Sequence, residues 1–117
     1  MSIGHLLAVV PVSDTQVARR WYEALMGRPE DNHPMDSLFE WRVTETSWMQ
    51  VFHDPDRAGS TLLNFAVDDL DGQVAQLAAR GLVLSGTETA DKGVRIASIT
   101  DPDGNRIAFI GGFRVIY

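Results

Sequence analysis

Apolar positions along the chain follow two alternating periods. Leu6–Val12 is a continuous apolar run closed by Ser13-Asp14, the pattern of a buried strand. A helical period follows: Ser13 and Gln16 have capping-box spacing, Val17, Trp21 and Leu25 recur every fourth residue with Ala18 beside them, and Gly27 ends the stripe. This predicts a helix over 14–26. The same order returns about half a chain later. Leu62–Val67 is apolar, Asp69 stands at a cap position, and Leu70, Val74, Leu77 and Ala78 form a stripe that stops at Gly81. A repeat on that scale means two copies of one supersecondary unit, module one over about 1–57 and module two over about 58–117.

After each helix the period shortens to that of strands. Residues 39–43 and 48–53 flank Thr44-Glu45-Thr46-Ser47, and symmetric pairing about that turn sets Phe39 opposite Phe52, Trp41 opposite Gln50 and Val43 opposite Trp48. These side chains then share one aromatic face around a single amide, with Glu40 and Arg42 on the other. In the second half, strands over 83–89 and 93–100 flank Asp91-Lys92, an arrangement that puts Glu88 opposite Arg95. Asp101-Pro102-Asp103-Gly104 is a turn, 105–110 is the last strand, and 28–36 is a loop with a short edge strand. The fold class is α+β, a tandem duplication of a strand, helix, three-strand unit.

The chain resembles the vicinal oxygen chelate superfamily of glyoxalase I, bleomycin and fosfomycin resistance proteins and extradiol dioxygenases. The resemblance runs nearly end to end. It rests on Val12-Ser13-Asp14 before a helix with Trp21-Tyr22 that ends Leu25-Met26-Gly27, on Val67-Asp68-Asp69-Leu70 with Gly81, and on Asp101-Pro102-Asp103-Gly104-Asn105-Arg106-Ile107. It implies two βαβββ modules with curled mixed sheets around a central cleft, helices on the outer faces, and a homodimer.

The whole chain has 117 residues, enough for one domain, with 44% hydrophobic residues as expected of a globular core. It has no cysteine, which excludes a thiol nucleophile and a thiolate metal site. Ten basic against sixteen acidic residues give a net charge of −6, the wrong sign for nucleic acid. The first twelve residues lack a signal-peptide pattern and no apolar run is long enough to span a bilayer. A cytoplasmic protein without membrane partners is expected.

Metal-using members of the superfamily place ligands in the first and last strand of each module, where a divalent ion acts as a Lewis acid. Carried over by the resemblance, those positions are Leu7, Gln50, Leu62 and Ala108. Leucine and alanine have no donor atom. His5 lies on the strand face of Leu7 with no second donor in place, while His53 has the opposite parity to Gln50 and His33 falls in a loop. No metal site and no cofactor are read. Asp101 and Asp103 are explained by turn chemistry, and Asp68, Asp69 and Asp71 by the helix dipole. The nucleotide and nucleophile-elbow motifs are absent from the sequence, and no catalytic residue is assigned.

What remains is the aromatic wall. Phe39, Trp41, Trp48 and Phe52 around Gln50, with Asn64 from the neighbouring strand, His5, and Arg106 at the rim, describe an apolar pocket with a few polar groups. Its ligand would be small, planar or cationic, because indole stacks on such groups. The leading reading is a metal-free binding protein resembling the bleomycin-resistance branch. A metal-dependent lyase or dioxygenase of the glyoxalase type, with non-standard ligands such as Gln50 and His5, is the alternative. A third reading is an interaction module whose cleft is filled by side chains.

Overall fold

The computed structural model describes residues 2–116. Module one contains β1 (Leu6–Val12), α1 (Thr15–Met26), β2 (Asn32–Met35), β3 (Leu38–Thr44) and β4 (Ser47–His53). Module two repeats the order with β5 (Leu62–Val67), α2 (Leu70–Ala79), β6 (Glu88–Thr89), β7 (Arg95–Thr100) and β8 (Arg106–Gly111). The sheets run β1-β4-β3-β2 and β5-β8-β7-β6. In each, the first and last strands of the module pair in parallel and the other pairs are antiparallel. The duplication read from the two strand-cap-helix-glycine patterns is therefore a duplication of topology.

Local chemistry sets the helix ends. Asp14, not Ser13, caps α1: its Oδ1 accepts the backbone N–H groups of Gln16 and Val17 at 3.0 and 3.1 Å. Gly27 closes the helix in the left-handed region, at φ 74°. Asp69 caps α2 in the same way through Gly72 N–H. The buried stripe of α1 is Ala18, Tyr22 and Leu25, rotated from the expected one. Val17 is exposed, and Trp21 is half-buried, edge-on to Tyr22 with ring centroids 4.7 Å apart.

The expected strand over 83–89 shrinks to Glu88–Thr89, because Ser85 pairs with Ser98 while Leu82 and Leu84 turn into the core. Glu88 lies opposite Ile96, not Arg95. A single 3₁₀ turn at Asp91–Gly93, with Lys92 at φ 61°, takes up the extra residue. Arg95 instead reaches α2, where its Nη2 donates to Asp71 at 2.8 Å.

Each sheet buries one face under its helix. On sheet one this face carries Val10, Val12, Phe39, Trp41, Met49 and Val51, packed with the stripe of α1. On sheet two it carries Ala97, Ile107 and Phe109 with Leu70 and Leu77 of α2. The helix-bearing sides of the two sheets also meet each other. Leu25 and Met26 of α1 share a crevice of about 250 Å³ with Phe65, Val67 and Phe109 of sheet two.

A buried polar knot ties this seam. Asp101 accepts from Tyr22 Oη at 2.6 Å, from Asn105 Nδ2 at 2.8 Å and from the N–H groups of Asp103 and Asn105 at 2.9 Å. Asn105 also donates to the Pro11 carbonyl at 2.9 Å and accepts the Gly59 and Thr61 N–H groups at 3.0 Å. Ser13, released from capping, donates through N–H and hydroxyl to Asp103. Burial is tolerated because every polar atom in the knot has a partner. Gly59 is confined by the same contact: its φ is 95°, and a Cβ there would stand 2.4 Å from the Asp103 carbonyl oxygen.

Candidate functional site

The β3–β4 hairpin decides what faces the cleft, and its register differs from the symmetric expectation by one residue. Phe39 lies opposite Val51, Glu40 opposite Gln50, Trp41 opposite Met49 and Arg42 opposite Trp48. A bulge between Arg42 and Thr44 absorbs the difference before the turn. Because side chains alternate, one step moves the whole of β3 to the other face. Phe39 and Trp41 therefore leave the expected aromatic wall and become core. Trp41 is fully buried, its Nε1 donates to the Arg28 carbonyl at 2.9 Å, and its ring lies 6.4 Å from Tyr22. Phe39 is stacked under His33 at 4.1 Å, and the Arg19 guanidinium lies 5.5 Å from its ring.

Glu40 and Arg42 take the vacated places. The open face of sheet one is then a set of rows across the strands: Leu7–Trp48–Arg42, then Val9–Gln50–Glu40–Asn32, then Pro11–Phe52–Leu38. Gln50 Nε2 donates to Glu40 Oε2 at 2.6 Å, and Asn32 Nδ2 donates to Oε1 at 3.3 Å. The Arg42 guanidinium lies 5.7 Å from the Trp48 ring and donates to the Glu45 carbonyl. The edge of β3 is pinned from behind, where the Arg42 N–H donates to Asp31 at 2.7 Å. That bond, with Arg28 beside it, holds the Asp31 carboxyl below the usual carboxylate range.

Glu40 and Arg42 were legible as members of this face. In β4 the aliphatic residues Met49 and Val51 alternate with Gln50, so the polar residues of β3 belong opposite Gln50 and its aromatic residues opposite Met49 and Val51.

The other expected residues divide between the sheets. Trp48, Gln50 and Phe52 are half-buried on the open face of sheet one, and His5 is exposed just before β1. Asn64 and Arg106 lie on the open face of sheet two, where Leu62 pairs with Arg106 and Asn64 with Ala108. Trp48 and Asn64 are brought together across the seam: both line a crevice of about 270 Å³ with Leu6, Ala8, Met49 and Phe65.

At the four ligand positions of the superfamily, Leu7 and Leu62 are exposed apolar side chains, Ala108 is buried, and the Gln50 amide is engaged by Glu40. These residues do not fit a divalent ion. Among the described residues, no group of three or more His, Cys, Asp or Glu side chains could hold a metal ion.

The open faces also carry unusual apolar exposure. Leu7 and Val9 on edge strand β1 are 50% and 47% exposed, and Leu62 at the start of edge strand β5 is 76% exposed. No helix among the described residues is long and apolar enough to cross a membrane.

A family model described as a glyoxalase-like domain matches residues 8–110. Among solved structures, the chain is similar to a glyoxalase/bleomycin resistance protein from Catenulispora acidiphila, with 32% identity over 92% of this chain and 96% of that one, and a TM-score of 0.86. It is also similar to TnmS3, an antibiotic binding protein from a Streptomyces species, with 27% identity over 95% and 98% of the two chains and a TM-score of 0.75. A lactoylglutathione lyase from Agrobacterium tumefaciens shares the fold, with a TM-score of 0.75, 16% identity and 92% of each chain covered. No curated protein matches the chain.

Proposed function

The chain belongs to the glyoxalase-like domain family, and we propose that within it this protein is a metal-free small-molecule binding protein of the bleomycin-resistance type. The observation that carries the reading is the content of the four ligand positions. Leu7, Leu62 and Ala108 offer no donor, and the one amide, Gln50, sits beside an indole on a half-buried face. Such a face suits stacking and hydrogen bonding better than Lewis-acid chemistry. The likeness to an antibiotic binding protein at 27% identity supports a ligand held without turnover.

In this reading the protein is a cytosolic homodimer. The face bearing Trp48, Gln50 and Phe52 in one copy meets the face bearing Asn64 and Arg106 in the other, and the exposed Leu7, Val9 and Leu62 are covered between them. One chain supplies each half to a different cleft. The ligand is planar or cationic and rests on Trp48.

Two measurements on the purified protein test this. Elemental analysis after mild purification is expected to find no stoichiometric divalent metal; one tightly held Zn, Ni, Fe or Mn per chain would overturn the reading. Titration with a panel of planar aromatic compounds, followed by indole fluorescence, is expected to give saturable binding that Trp48→Ala weakens by about 2 kcal/mol, the scale of an aromatic anchor.

A further inference from the structure

We propose that Glu40 is the specificity-determining residue of this cleft and selects ligands that carry a cationic nitrogen next to a planar ring. The proposal rests on the binding-protein reading above and adds the group that chooses the ligand.

Glu40 stands in the middle row of the open face, between the row of Trp48 and the row of Phe52. Successive rows are about 7 Å apart along the strands, so a ring over Trp48 or Phe52 carries an amino substituent to the carboxylate. An ionised carboxylate has roughly four acceptor sites. Gln50 and Asn32 supply one donor each, at 2.6 and 3.3 Å, and both are neutral amides. They fix the carboxylate in place without neutralising it. The charge on the same face that could pair with it, Arg42, is committed to the Trp48 ring and the Glu45 carbonyl. Among the described residues, no ion pair includes Glu40.

A half-buried carboxylate that is oriented by amides and has no counter-ion among the described residues of its own chain is matched by a ligand cation. Partial desolvation strengthens that pairing, and the preset geometry lowers its entropic cost. The net negative charge of the chain adds a general attraction for cations, but it does not discriminate between positions.

The probes are proflavine, a planar cation, and acridone, a neutral ring of similar shape. Equilibrium dialysis of the intact protein is expected to show proflavine bound at least about tenfold more tightly than acridone, the scale of one charge-assisted hydrogen bond. In Glu40→Gln, which keeps the shape and needs only one neighbouring amide to turn its oxygen toward the new NH2 group, that preference should vanish with acridone binding unchanged. Asp56→Asn, which removes one exposed charge from a loop, should keep the preference. If Glu40→Gln retains the preference, or Asp56→Asn loses it equally, the assignment to Glu40 is overturned. Equal binding of both probes by the parent protein, weakened by Trp48→Ala, overturns the Glu40 proposal and leaves the binding reading standing. If neither probe binds, both fall together.

Discussion

Tyr22 and Asp101 are 79 positions apart in the sequence, and across the seam between the modules the phenol donates to the carboxylate at 2.6 Å with both side chains buried. Burial first, then the hydrogen bond and charge of Asp101, push the Tyr22 phenol well above the ordinary tyrosine range. Tyr22→Phe is expected to lower stability by about 1.5–3 kcal/mol, since it removes a donor from a charged acceptor. Urea denaturation checks it.

The same pair predicts an alkaline limit. The folded state keeps the Tyr22 proton where an unfolded tyrosine, with its pKa near 10, has lost it. The contribution is complete below that value and declines as pH rises past it, because the unfolded chain then binds fewer protons. Stability above about pH 10 should fall more steeply in the parent protein than in Tyr22→Phe, and tyrosinate absorbance of Tyr22 should appear only with unfolding.

Asn105→Ala should be costlier. The amide serves Pro11, Asp101, Gly59 and Thr61 at once, and its loss leaves several buried partners unsatisfied. A loss of at least about 3 kcal/mol is expected, read as a shift of the denaturation midpoint at unchanged slope.

The two tryptophans of the hairpin separate packing from binding. Trp41→Ala opens a core cavity and should cost about 3–5 kcal/mol, whereas Trp48→Ala on the open face should cost about 1 kcal/mol or less. Acrylamide should quench the Trp48 emission and spare that of Trp41. A reversed order of stabilities would contradict the hairpin register.

Covering the open faces with a second copy predicts light scattering at about twice the mass of one chain at micromolar concentration. Leu7→Lys combined with Leu62→Lys should halve that mass with the fold intact by circular dichroism, because two charges would have to be desolvated in the contact. A parent protein that runs at the mass of one chain would refute the dimer.

The duplicated architecture was legible because strand, cap, helix and glycine recur in order, a signal that local chemistry carries almost unaided. The hairpin register was not read correctly, and the reason is physical. Symmetry about Thr44-Glu45-Thr46-Ser47 holds at the Thr44–Ser47 pair, and the bulge before it shifts every pair beyond. Turn sequence sets the first pair, whereas the competition between faces for the core sets the rest. Trp41 has Arg28 as a hydrogen-bond partner only when it points inward. The apolar run of β1 read as a buried strand, yet its first half is exposed, because β1 lies at the edge of its sheet and composition alone does not separate such an edge strand from a central one. The polar knot drew on Asp101 and Asp103, which turn chemistry explained locally; their partners Tyr22, Pro11 and Ser13 lie in the other module and no spacing rule connects them.

The knot also sets an order of events during synthesis. Its longest links, Asn105 to Pro11 and Asp103 to Ser13, span 94 and 90 positions, so all the chain between them must be extruded before they close. Until then a nascent module one holds Tyr22 and the Pro11 carbonyl without their partners, and its sheet rests on α1 alone. Closure of so long a loop costs only logarithmically more than a short one, but it comes late. Residues 101–105 therefore act as a clasp, and a chain arrested shortly before Asp101 would hold a complete first sheet and a second sheet lacking β8, without the knot that ties them.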